Sequence, residues 1–120
     1  MAQTIETLLR DNLHGVFGEH DAQKRRNNIA RLWAEDGAFV DHNSRYEGHS
    51  GIDRAAAGLV EKFPDFVFTE RGLQTFNGIG KLDWGFGPAG DKTFITGIDV
   101  LVMKGDKIGA LYTFLDPPKK

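Results

Sequence analysis

The chain has no cysteine, which excludes disulfides, thiolate zinc sites and cysteine nucleophiles. That composition fits a reducing compartment, and a cytoplasmic location is the expectation. Neither charge is in marked excess. The 15 lysines and arginines face 17 aspartates and glutamates, and a net charge of −2 exerts no general pull toward nucleic acid or an anionic membrane. No apolar run approaches the ~20 residues that a membrane helix needs. The opening "MAQTIETLLRDNLHG" lacks a basic start leading into an apolar core, so no signal peptide is expected. Histidine is sparse: His14, His20, His42 and His49 all fall in the first half. None shows a tight ligand spacing with an acidic partner, so no metal site is expected. The glycine cluster "GFGPAG", Gly85 to Gly90, formally matches the spaced glycines of a dinucleotide site. That pattern works where a helix follows and its N-terminus holds the pyrophosphate. Here the strand-like "DKTFITGIDV" follows and Pro88 lies inside the cluster, so it reads as a hairpin turn, and no cofactor is expected.

What is present suits one globular domain spanning residues 1–120. Hydrophobic residues make up 40% and charged residues 27%, and a chain of this length buries roughly two-thirds of its unfolded surface, enough for one core. Ile5, Leu8, Leu9, Leu13, Val16 and Phe17 recur at helical spacing, and Gly15 and Gly18 mark the end of that helix. Asp21 caps a second helix with an inner face of Ala22, Ile29, Leu32 and Trp33, and Gly37 is its stop. "AFVD" follows as a short strand with Phe39 and Asp41 on one face. A third helix starts at a capping-box-like Ser50 and Asp53. It carries the stripe Ile52, Ala55, Ala56, Leu59, Val60 and Phe63, and it ends at Pro64.

From Asp65 the period changes to two. "DFVFTER", "LQTF", "KLDWGFG", "TFITGIDVLVM" and "KIGALYTFL" read as five strands, with "KGDK" a hairpin turn between the last two and "DPPKK" a loose tail. Helices followed by antiparallel strands argue for an α+β class, with the three helices covering one face of a curved sheet and a pocket between the layers.

Two carboxyls carry the chemical interest. Asp41 ends a strand ahead of "HNS", where a turn residue and a pocket-facing carboxylate are both open readings. Asp99 lies inside "TFITGIDVLVM", where alternation puts Thr93, Ile95, Gly97, Asp99, Leu101 and Met103 on one face. A lone carboxylate there is costly to bury, and desolvation raises its pKa and favours the neutral, hydrogen-bond-donating acid. Gly97 leaves room beside it for a ligand atom. A structural carboxyl, tied to a backbone amide or to Arg31 or Arg45, is the other reading.

Three stretches carry a family resemblance that covers nearly the whole chain. "LWAEDGAFVDH", "RYEGHSGI" and "GIDVLVMKGDKIGALYTFLD" resemble the SnoaL-like group of the nuclear transport factor 2-like superfamily. The resemblance implies a cystatin-like/NTF2-like cone: a strongly curved antiparallel sheet on three helices from the N-terminal half, a deep apolar cavity, and a homodimer. It implies a cofactor-free isomerase, cyclase or dehydratase acting on a small apolar carbonyl compound. The alternative is a non-catalytic small-molecule-binding or dimerisation module of the same fold, because the superfamily spans both. By similarity to ketosteroid isomerase, whose two aspartates are tuned to different protonation states, Asp41 is the base, with His42 beside it, and Asp99 the neutral donor. Phe17, Trp33, Tyr46, Trp84, Gly97, Leu101 and Tyr112 are the expected cavity lining. The chain departs from that isomerase in having no tyrosine on its first helix and His42 after Asp41. Gly97 stands where limonene-type epoxide hydrolases place an arginine.

Overall fold

The computed structural model describes residues 3–117. Most of the expected tail, Pro118 to Lys120, lies outside the described residues. Helix α1 (Ile5–Asn12) starts where the Thr4 side chain accepts from the Thr7 amide. It does not stop at Gly15 but runs on as a π-helical turn, Leu13–Phe17, that buries Leu13, Val16 and Phe17 and ends at Gly18. Helix α2 (Ala22–Leu32) is capped by Asp21, which accepts from the Gln23 amide at 3.1 Å.

The chain turns extended at Trp33, so this residue opens strand β1 (Trp33–Val40) rather than closing α2. Gly37 accordingly lies inside a strand and is no helix stop. A Cβ there would stand 2.7 Å from the Trp33 ring, so the absent side chain is what lets the indole lie across the strand. Strand β2 (Arg45–Glu47), which sequence periodicity does not reveal, pairs back on β1, and helix α3 (Gly48–Lys62) follows at once. Asp53 does not complete a capping box. It accepts from Nε of the buried Arg25 at 2.8 Å, and this pair clamps α3 to α2.

The remaining strands are β3 (Phe66–Phe76), β4 (Ile79–Pro88), β5 (Ile95–Lys104) and β6 (Lys107–Leu115). "DFVFTER" and "LQTF" are one strand, interrupted by a bulge between Glu70 and Gly72. "GFGPAG" closes β4 and enters the turn toward β5. Gly105, at φ 64°, makes the tight "KGDK" turn. The sheet order is β2-β1-β6-β5-β4-β3. It is mixed rather than wholly antiparallel. Successive hairpins reverse direction from β3 to β6, which brings β6 back beside β1 running the same way.

Bulges in β1, β3 and β6 raise the local twist and bend the sheet round the helices. Leu82, Trp84 and Phe86 of β4, with Leu101 and Leu111, pack from the concave face against Leu8, Leu9, Leu13, Val16 and Ile52. One bulge has a direct consequence. Met103 pairs with Ile108 but Val102 pairs with Ala110, so Gly109 is an extra residue. The inward face of β6 becomes Ile108, Leu111 and Thr113, while Tyr112 and Phe114 turn outward.

Candidate active site

Between the concave face, the π-helical turn and α3 lies a cavity of about 610 Å³ that opens to solvent. Its wall is mostly apolar: Leu13, Phe17, Phe39, Tyr46, Ala55, Leu59, Phe63, Phe68, Trp84, Ile95, Leu111 and Leu115. Its polar groups are Asp41, His42, Asn43, Arg54, Lys62, Asp99 and Thr113.

Asp99 is the buried ionisable group of this wall, at 5% exposure. Register explains its neighbours. Thr113 lies directly across on β6, and its hydroxyl donates to Asp99 Oδ1 at 2.8 Å. Trp84 on β4 stands across from Gly97, and its Nε1–H reaches diagonally to the same oxygen at 3.0 Å. An indole N–H only donates, so Oδ1 is an acceptor in this arrangement. Among the described residues Oδ2 has no hydrogen-bond partner. The only side-chain polar atom both fully buried and unpartnered among them is Nδ2 of Asn12, so Oδ2 keeps surface on the cavity. Burial pushes the carboxyl up from its ordinary 3.8 to about 6, against the two donated hydrogen bonds, which favour the carboxylate.

Gly97 does not leave an empty space for a ligand. A Cβ there would lie 2.5 Å from the Trp84 ring and 2.7 Å from the Phe114 carbonyl, so the gap is filled by the indole. The glycine serves to deliver Trp84 Nε1 to Asp99. Trp33 is fully buried away from the cavity, with Nε1 donating to Asn12 Oδ1 at 2.9 Å. Leu101 is also fully buried, in the layer beneath the wall. Tyr112 is carried to the outer face by the Gly109 bulge. There it lines a second hollow of about 610 Å³ with Val40, Phe114, Asp116 and Pro117, which shares Asp41, His42, Thr113 and Leu115 with the first.

Phe17, Tyr46, Trp84, Asp41, His42 and Asp99 do line the main cavity. Asp41 stands at its edge, and its Oδ1 accepts from the amides of Asn43 and Ser44 at 2.9 and 2.8 Å, an Asx turn that holds the β1–β2 loop. Neither Arg31 nor Arg45 contacts Asp99; they pair with Asp11 and Glu47. Thr113, Arg54 and Lys62 escape the sequence reading, although Gly109 inside a strand is the available sign of a bulge. No group of three or more metal-ligating side chains occurs among the described residues.

No family model matches the chain, and no curated protein matches its sequence. Solved structures do match its fold. A candidate isomerase of the SnoaL-like family from Agrobacterium tumefaciens superposes with a TM-score of 0.86 at 24% identity, covering 93% of this chain and 97% of that one. A candidate SnoaL-like polyketide cyclase from Jannaschia sp. gives 0.77 at 15%, covering 93% and 84%. A protein from Catenulispora acidiphila with a ketosteroid isomerase-like fold, in complex with trimethylamine, gives 0.71 at 16%, covering 92% and 85%. This chain therefore has the α+β cone fold of SnoaL-like, ketosteroid isomerase-like and NTF2-like proteins.

Proposed function

We propose that the protein is a cofactor-free isomerase, cyclase or dehydratase that moves a proton next to the carbonyl of a small, mostly apolar compound held in the cavity. The observation that carries this reading is Asp99: one oxygen fixed by Trp84 and Thr113, the other free on an apolar wall, in a carboxyl that burial pushes up to about 6. At neutral pH such a group is mostly ionised yet a stronger base than a solvated carboxylate, the tuning general-base catalysis requires. The geometry favours giving it the base role, with Asp41 holding the loop at the cavity edge. Oδ2 takes the α-proton, the C–H electron pair moves into the enolate, and the same carboxylic acid returns the proton at a second carbon, so no net charge is created.

The enolate oxygen needs a donor. Tyr46, whose hydroxyl has no hydrogen-bond partner among the described residues, His42 and Asn43 place side-chain donors on the wall.

The test is deuterium uptake from D2O into the α-position of a ketone probe, 2-tetralone, followed by proton NMR. The native protein is expected to accelerate exchange, and Asp99→Asn to lose at least 100-fold of that acceleration. Full exchange by Asp99→Asn overturns the mechanism. A second reading, a binding module that returns its ligand unchanged, is favoured by the apolar wall and by the trimethylamine held in a protein of this fold. It predicts that the probe binds without exchange in the native protein.

The outer sheet face is proposed as a homodimer surface. Phe114 and Tyr112 stand there 60% and 40% exposed, across from Ile98 and Val100 on β5. The cysteine-free composition fits a cytoplasmic location. Among the described residues no helix is long and apolar enough to cross a membrane.

A further inference from the structure

Helix α3 presents two parallel rows to the cavity. Ala55, Leu59 and Phe63 form one, half-buried and apolar. Arg54, Gly58 and Lys62 form the other, at spacing i, i+4, i+8, and all three are exposed. Arg54 and Lys62 have no acidic partner within ion-pair distance among the described residues, unlike Arg10, Arg25, Arg31, Arg45, Lys81 and Lys104. Each stands instead over an aromatic ring of the cavity wall: Arg54 6.0 Å from the Tyr46 centroid, Lys62 5.5 Å from that of Phe63. Between them Gly58 leaves an opening, since a Cβ there would meet nothing within 4 Å. Their backbone positions are about 12 Å apart along the helix axis, one on each side of that gap, a span that two long side chains leaning inward can bridge to one carboxylate. The cavity is thus polarised, with cations at the solvent edge and an apolar interior ending at the buried Asp99.

We infer that the ligand is an amphipathic carbonyl acid whose carboxylate is held at the mouth by Arg54 and Lys62 while its apolar body reaches toward Trp84 and Asp99. The inference rests on the cavity being the ligand site and names the class of compound it takes. Electrostatics fix the orientation. A carboxylate at the inner end would face the ionised Asp99 in a poorly hydrated wall, whereas at the mouth it meets two exposed cations. The same orientation keeps the acid away from the base and turns the carbonyl end toward Oδ2. Asp41, the other acid of the edge, has one oxygen committed to the Asx turn.

The test compares two probes of equal shape, 2-naphthoate and its methyl ester, by calorimetry at low salt. The native protein is expected to bind the acid at least 10-fold more tightly than the ester. The Arg54→Gln/Lys62→Gln double variant should lose that preference while ester affinity changes less than 2-fold. Gly58→Glu, which sets a carboxylate between the cations and improves helix propensity, should also lose it. An ester that binds as tightly as the acid, or a preference that survives in the double variant, overturns the inference and leaves the cavity reading standing. Failure of both probes to bind overturns the two together.

Discussion

Replacing Asp99 by asparagine should make the protein more stable at neutral pH, and by an amount that depends on pH in a defined way. Asparagine keeps an oxygen to accept from Trp84 Nε1 and Thr113 Oγ1, the two donors now on Oδ1. What it removes is the penalty of ionising a buried carboxyl. The folded-state value of about 6 lies above the ordinary 3.8, so the folded protein binds this proton more tightly than the unfolded chain. Stability from this group is therefore complete below pH 3.8 and is lost as pH rises through about 6. Over that interval the linkage amounts to about 3 kcal/mol, at roughly 1.36 kcal/mol per pKa unit. Urea unfolding of both proteins at intervals from pH 4 to 8 reads the difference directly, and other titrating groups cancel in it. Asp99→Asn should gain on the native protein by about 2.4 kcal/mol across the range, most of it between pH 4 and 6.5, with a plateau above pH 7. A difference that stays constant with pH, or one that shrinks as pH rises, would refute the reasoning. The same variant is expected to lose proton exchange, so stability and activity pull in opposite directions at this residue.

Trp84→Phe removes one donor to the carboxylate and should raise the Asp99 pKa further, by about one unit, moving the acid limb of the exchange profile to higher pH. Gly97→Ala forces a methyl group against the Trp84 ring and the Phe114 carbonyl. It should destabilise by roughly 1–3 kcal/mol in urea melts and change the near-ultraviolet dichroism of the displaced indole. Gly58→Ala places a methyl group in open space within helix α3 and should stabilise by about 0.5–1 kcal/mol in thermal or urea melts.

The three helices and the hairpin strands were legible because their apolar spacing is regular and local. The sequence carries helix α2 too far, up to the stop at Gly37 rather than to Leu32, because Trp33 continues its apolar stripe. The break there depends on Gly37, four residues away, admitting the indole. Strand β2 has three residues and follows a turn-rich loop, too short for a period to register. The parallel β1–β6 pair depends on contacts about 70 residues apart that no local pattern encodes.

Within the site, Asp99 was legible as a lone acid among β-branched and apolar neighbours, and its inward face followed from alternation. The contents of the space beside it did not. Trp84 fills the gap at Gly97 only because β4 and β5 pair in one particular register. Tyr112 and Thr113 exchange faces because one glycine, Gly109, inserts a bulge. Cross-strand register and bulges are tertiary outcomes, and they decide which side chains meet the carboxyl.

The most direct test of the account is the carbon-13 titration of the Asp99 side-chain carboxyl in the native protein, assigned by comparison with Asp99→Asn. Burial against Trp84 and Thr113 predicts a midpoint near 6. A midpoint at or below the ordinary 3.8 would contradict it, because Asp99 would then be a structural carboxylate too weakly basic for the proposed proton transfer.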